Sequence, residues 1–400
     1  MNLKKYDGYT SFDYLKPHED YRVFELAKAI GRVPEYIMNL TPEQSEAADE
    51  ILEKYLIISL RDHGFITPHS QEHMLDYCRQ MHTFFQYEGL AKAGIDAIFE
   101  NFMDGIAILT SRFGLKWDDI ILNLGMRLCD IAHQQTVFIA SSVSDIEAAK
   151  RDGRVALIPS LEAAGILENE IDRVDVLYGF GIRCMGITYN EANTLGSGLV
   201  EARDSGLTSF GQRVIRRMNK VGMAIDISHC GDETSMDVIK YSEKPVLLTH
   251  AGARELWNTP RMKPDKVLKA CAEAGGIIGI CAAPNTTLTR NQPEHCIEAV
   301  MEHLEYIINL VGIEHVGLGP DTFYGDHVAL QHAFDDTLAI SASHDGETFE
   351  ESPYVAGLEN PTEAIRNMVR WMVKHGYKEE DISKITGGNV LRVLGEIWAK

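Results

Sequence analysis

The sequence predicts an α/β protein, a (β/α)8 TIM barrel with a helical N-terminal extension and C-terminal helices. Three observations carry this. From residue 56 onward, eight short apolar runs alternate with amphipathic stretches. Most of those runs are continuous rather than alternating, as expected of parallel strands covered on both faces. No GxGxxG follows an early strand, so the main signal of the rival doubly wound sheet is missing.

Residues 1–50 are polar and contain YRVFELAKAI and PEQSEAADEILEKY, both read as helical. They form the extension, and residues 51–400 a single barrel domain. The strand candidates are LIISL (56–60), AIFENF (97–102), VALIPS (155–160), IRCMGIT (182–188), GMAIDIS (222–228), PVLLT (245–249), GIIGIC (276–281) and HVGLG (315–319). Between them, WDDIILNLGMRLCDIA and SFGQRVIRRMNKVGM carry apolar residues at three-to-four spacing, the mark of amphipathic helices. Residues 323–358 read as a long irregular loop over the barrel mouth. Two helices follow, PTEAIRNMVRWMVKHG and EEDISKITGGNVLRVLGEIWA, the second expected to pack on the outside.

Composition narrows the function. The chain is 45% hydrophobic and 24% charged, close to a soluble globular average. No apolar run reaches the roughly 18 residues that span a bilayer, and the first twenty residues lack the apolar core of a secretion signal. A net charge of -21 repels phosphate backbones and anionic membranes, so neither nucleic acid nor a membrane is an expected partner. Seven scattered cysteines without a CxxC pair suit a reducing cytoplasm.

In a barrel the chemistry collects at the C-terminal strand ends. There the sequence places Arg61-Asp62-His63, Glu162, Tyr189, His229, His250 with Arg254 one turn on, and Asp321. Two histidines, a glutamate and an aspartate at one mouth form a metal-ligand vocabulary suited to zinc, manganese or iron. A metal there acidifies a water, and Asp321 is placed to move its proton. The plainer alternative is that His229 and His250 are ordinary strand-end histidines bonded to backbone. His327, His332 and His344 fall in the long loop and are read as solvated, with one of them able to reach the mouth.

The stretches GLTSFGQRVIRRMNKVGMAIDISHC, KPVLLTHAGARELWNTPRM and YKEEDISKITGGNVLRVL resemble, in order, segments of the renal (membrane) dipeptidase family of the amidohydrolase superfamily. The resemblance runs from about residue 56 to 396. It implies a barrel enzyme hydrolysing dipeptides and related amides, usually with two zinc ions. It further implies that Glu162 bridges the metals, that His229 and His250 complete the second site, that Arg254 holds the substrate carboxylate and that Asp321 handles the proton.

Three departures stand out. The family opens its first strand with a His-x-Asp ligand pair, whereas this chain has Arg61-Asp62-His63, and arginine cannot ligate a cation. Arg61 and His63 share one side of an extended strand, with Asp62 on the other. One reading loses the first metal and puts the Arg61 guanidinium beside Glu162 in its place; the other is a one-residue slip that keeps Asp62 or His63 as a ligand. Tyr189 replaces a family histidine and serves either as a hydrogen-bond donor to the oxyanion or in packing. The loop after Asp321 also differs, which argues for a substrate other than an ordinary dipeptide.

The expectation is a cytoplasmic, homodimeric metal-dependent hydrolase. It cleaves an amide-like C–N bond in a small carboxylate-bearing molecule, with one zinc ion on Glu162, His229 and His250, or two if the strand slips. Asp321, Arg61 and Tyr189 are the candidate catalytic residues; Arg254, Tyr189 and His63 the candidate substrate contacts. The alternatives are another reaction of the superfamily, such as decarboxylation, and a binding barrel without catalysis.

Overall fold

The computed structural model describes residues 4–101, 116–292, 294–338 and 350–398, with only the backbone of 334–338. Eight of its strands match the predicted runs: β1 (Ile58–Asp62), β2 (Ala97–Asn101), β4 (Val155–Leu161), β5 (Cys184–Gly186), β6 (Ala224–Asp226), β7 (Leu247–Ala251), β8 (Ile277–Ile280) and β9 (Val316–Leu318). All pair in parallel, and the β2–β4 and β1–β9 pairings close them into a barrel. A strand absent from the prediction, β3 (Val137–Ile139), lies along the first half of β4, while β5 pairs with the second half through Ser160 and Leu161. Its run of three residues was too short to stand out. Gly186 is obligatory where β5 meets β4, since a Cβ there would lie 1.8 Å from the Glu162 carbonyl oxygen.

Alternate residues of each strand face opposite sides. Ile58, Leu60, Phe99, Ile158, Leu247 and Ile277 fill the barrel, whereas Ile98, Leu157, Ile225, Leu248 and Ile278 face the surrounding helices. Those helices include the expected Trp117–Ala132 and Ser209–Val221.

Three expectations need correction. Of the two helices predicted in the extension, only Pro42–Lys54 forms, and it crosses the expected domain boundary at residue 50. YRVFELAKAI is irregular because its backbone bonds elsewhere: Ala27 N–H donates to the Thr67 carbonyl, and the Glu25 carbonyl accepts from His69. Its apolar residues are also split, with Phe24 buried and Val23 and Ile30 exposed, so no single helical face could be covered. The extension is instead stitched to the barrel through Asp130, which accepts from Tyr9, Ser11, Tyr87 and the Phe12 amide.

The segment after Asp321 is not wholly loop, because His327–Leu338 is helical; residues 339–349, including His344, lie outside the described residues. Finally, the last predicted helix does not pack on the outside. It breaks at a π turn over Lys384–Gly388, where Gly387 passes so close to Leu56 that a Cβ would sit 2.4 Å from its carbonyl oxygen. The helix that follows, Asn389–Trp398, turns Val390, Val393, Leu394 and Ile397 onto the interior residues of the strands and floors the barrel. Asn389 ties it to the Ile313 and Val316 carbonyls and Arg392 to those of Gly275 and Glu314.

Candidate metal centre

Three donor atoms converge at the open end of the barrel. Glu162 Oε1 lies 3.0 Å from His229 Nε2 and 3.4 Å from His250 Nε2, and the two imidazole nitrogens are 3.1 Å apart. Glu162 follows β4, His229 follows β6, and His250 is on β7.

The hydrogen bonds behind the rings set their tautomers. Asn190 Oδ1 lies 2.9 Å from His229 Nδ1 and accepts its proton. Thr249 spends its hydroxyl proton on Asp226 Oδ2 at 2.6 Å, so its oxygen accepts from His250 Nδ1 at 2.8 Å. Asp226 is fixed in turn by the Ser228 hydroxyl and by the Ser228 and Thr249 amides. Both Nε2 lone pairs therefore point inward. Burial keeps both rings uncharged, lowering His229 and bringing His250 down to about 4. Burial also opposes the charge of Glu162, but the Arg61 guanidinium outweighs it and holds the carboxyl well below the usual range.

Two lone pairs and a carboxylate oxygen in mutual contact repel unless a cation sits among them. Tetrahedral zinc with arms of 2.0–2.1 Å sets its ligands about 3.3 Å apart, close to these separations. The donor set fits a metal, and hydrogen bonds that fix each ring are the usual support of metal-binding histidines.

Around this cluster, β1 breaks register with β2 between Ser59 and Asp62, a bulge of the kind that re-aims side chains beside active sites. Arg61 consequently points inward, 1% exposed, with its guanidinium 4.0 Å from Glu162 and 3.4 Å from Asp226. Its Nε and Nη1 have no hydrogen-bond partner. Asp62 points away, accepting from Ser59 and from the amide and hydroxyl of Thr322. Burial pushes its carboxyl up to about 7. The folded state thus binds an extra proton between pH 3.8 and 7, and this contribution to stability fades as pH rises through that window. Asp62→Asn retains the Thr322 bonds and can donate to Ser59. It is expected to leave metal content unchanged and to shift stability at pH 7 by no more than about 1 kcal/mol. Loss of bound metal in this variant would restore Asp62 as a ligand.

His63 lies between Glu100 at 3.6 Å and Asp321 at 3.4 Å. Burial works to discharge it, but those two carboxylates prevail and push it up to about 10. A histidine raised in the folded state stabilises fully below pH 6.5, and that contribution is lost as pH rises through 10. Urea unfolding at pH 6, 8 and 10 is therefore expected to show a decline that His63→Gln lacks; parallel curves would refute the assignment.

Asp321 takes the left-handed conformation at φ 63°, its amide held by the Arg61 carbonyl, which turns the carboxylate toward His63 and His250. Aspartate is among the few residues that tolerate this region. Tyr189 stacks on the His229 ring, centroids 4.4 Å apart at 18°. His327 reaches the mouth and packs on Phe323 at 4.6 Å.

Arg254, expected to hold the substrate carboxylate, is turned to other partners. It forms a bidentate pair with Asp232 at 2.6 and 2.9 Å and donates further to the Thr259, Pro260 and Met262 carbonyls. The loop turns back on itself and brings Arg261 to the site instead. Arg261 Nη2 donates to the His250 carbonyl at 3.1 Å, and its buried Nη1 has no partner. The TPRM tetrapeptide that carries it was within the motif, but spacing alone could not say which arginine faces inward.

Comparison with known proteins gives the chain its family. The family model of membrane dipeptidase (peptidase family M19) matches residues 122–337 and 326–399. The chain belongs to the membrane dipeptidase family. It is a metal-dependent hydrolase on an amidohydrolase-type barrel, acting on a small-molecule substrate. It is 25% identical to an amidohydrolase from Pseudomonas aeruginosa of known structure, with a TM-score of 0.73 over 88% of this chain and 99% of that one. An uncharacterised protein of the pqqA 5' region of Klebsiella pneumoniae is 28% identical over 64% of this chain and 88% of its own. Dipeptidase tcpJ of Claviceps purpurea is 29% identical over 65% of this chain but only 55% of its own length. Among the described residues no helix is long and apolar enough to cross a membrane.

Proposed function

We propose that this member of the membrane dipeptidase family is a single-metal enzyme that hydrolyses an amide bond in a small carboxylate-bearing molecule. The observation that carries the reading is the inward convergence of Glu162, His229 and His250, together with a guanidinium beside Glu162. Glu162, His229 and His250 would hold a divalent ion such as zinc, which would supply the Lewis acidity that makes a water nucleophilic at neutral pH and polarises the amide carbonyl. Arg61 donates to the carbonyl oxygen as it gains negative charge, in a position where a second cation would otherwise stand. Asp321 accepts the proton from the attacking water and returns it to the departing nitrogen. His63 orients Asp321 rather than touching substrate. Arg261, not Arg254, grips the carboxylate with its planar fork. Tyr189 holds the His229 ring in place and stays a neutral donor, its hydroxyl pushed well above the usual tyrosine range by burial and by Glu162.

A reducing, cytoplasmic setting accords with seven free cysteines. A homodimer rests on the resemblance alone, and sedimentation would test it. The decisive experiment is elemental analysis of protein purified without chelator. One equivalent of metal per chain is expected. Two would overturn Arg61 as the substitute for a cation.

A further inference from the structure

The carboxylates beside the cluster already have their partners. Glu162 faces Arg61, His229 and His250, and Asp226 takes Arg61, Ser228 and Thr249. Asp321 faces His63, and Glu100 faces His63 and accepts from the Gly64 amide. Farther out, Asp232 is closed by Arg254. Among the described residues, each of these acids already faces a cationic or donor group. The buried atoms that lack hydrogen-bond partners on the two arginines are of the opposite kind: Nε and Nη1 of Arg61 and Nη1 of Arg261. Guanidinium nitrogens only donate, so they call for ligand oxygens. An ammonium brought among them would meet like charge in a water-poor site, where repulsion is strong.

We propose that the substrate is an N-acylated amino acid without a free ammonium, its carboxylate on Arg261 and its acyl oxygen on Arg61, and that free dipeptides are disfavoured. The inference rests on the hydrolase reading above and names the substrate class of that same site. Water adds to the acyl carbonyl and the C–N bond breaks. The amino nitrogen takes the proton relayed by Asp321, and the products are a carboxylic acid and a free amino acid. An N-acyl amino acid matches the site in donors as well as charge, offering oxygen acceptors to both arginines and a single N–H.

Glycyl-alanine and N-propionyl-alanine, each in both hands, make the test, because they differ only in an ammonium replaced by a methyl. Two readouts are needed: release of alanine by the metal-loaded enzyme, and calorimetric binding to the metal-free protein. At least a tenfold preference for the propionyl compound in kcat/KM, in Kd, or in both is expected. Equal or better handling of glycyl-alanine overturns the inference, as does failure of both compounds to bind. Binding preference without any turnover would uphold the specificity while refuting the hydrolase reading. Arg61→Gln is expected to narrow the preference at least threefold, and Arg61→Lys, which keeps the charge, to preserve it. Should the glutamine variant not fold, the lysine variant with the two ligands still decides, since loss of preference there also overturns the proposal.

Discussion

His250→Ala should leave a folded barrel that no longer retains metal and whose kcat/KM falls by at least about three orders of magnitude. The ring contributes one of three donors, and its place is fixed by a relay that runs from Asp226 through Thr249. Without Nε2, only His229 and Glu162 remain, too few to hold an ion against water. The relay makes a graded companion test. Thr249→Val keeps the ring but removes the acceptor that holds its Nδ1 proton, and metal affinity should drop by about 10- to 100-fold. The Asp226 network reaches the backbone through Ser228 and persists in both variants, so far-UV circular dichroism should be unchanged. An alanine variant that keeps both its metal and its rate would remove Glu162, His229 and His250 as the metal centre.

The second large effect separates two arginines that look alike in sequence. Arg261→Ala is expected to lower kcat/KM for a carboxylate-bearing substrate by about 30- to 5,000-fold, the cost of truncating one side of a charge-assisted pair of about 2–5 kcal/mol. Most of this should vanish when the substrate carboxylate is replaced by a carboxamide. Stability should hardly change, because Arg261 makes one backbone bond. Arg254→Ala should do the reverse. It leaves Asp232 unpaired and frees the 254–262 loop from its cage of carbonyls, lowering stability by about 1–3 kcal/mol. Its effect on rate should be similar for carboxylate and carboxamide substrates. A carboxylate-specific loss in Arg254→Ala, with none in Arg261→Ala, would return the anchoring role to Arg254.

The contrast between these arginines also marks how far sequence reading carries. Strand ends are legible because continuous apolar runs stop at the barrel mouth, so the gathering of Glu162, His229, His250 and Asp321 there follows from one rule. That Arg61 and His63 share one side of the strand is legible too, since they lie two apart. The bulge that turns that side inward is not, because a slip in register depends on the neighbouring strand. The turn of Arg254 toward Asp232 is not legible either, because a loop that folds back on itself carries no periodicity. His327 was set aside in a loop, yet a helix beginning at that residue brings it to the mouth. YRVFELAKAI shows the same limit from the other side: local helix propensity yielded to hydrogen bonds with residues 67 and 69. The last helix was correctly recognised but wrongly placed. Its apolar stripe fits any hydrophobic surface, and only the open base of the barrel supplies one of that shape.

That placement has a consequence for how the molecule is born. The floor of the barrel is laid by Asn389–Trp398, which follows every strand in chain order. Until then the eight strands surround an uncapped apolar shaft, at the stage when growing chains most readily aggregate. A premature stop just before Asn389 would spare every residue of the metal centre and still yield an open-ended chain for proteases and chaperones to sort. Closure of the barrel is thus a step that follows the making of every strand, and any change that loosens Asn389–Trp398 bears directly on whether it succeeds.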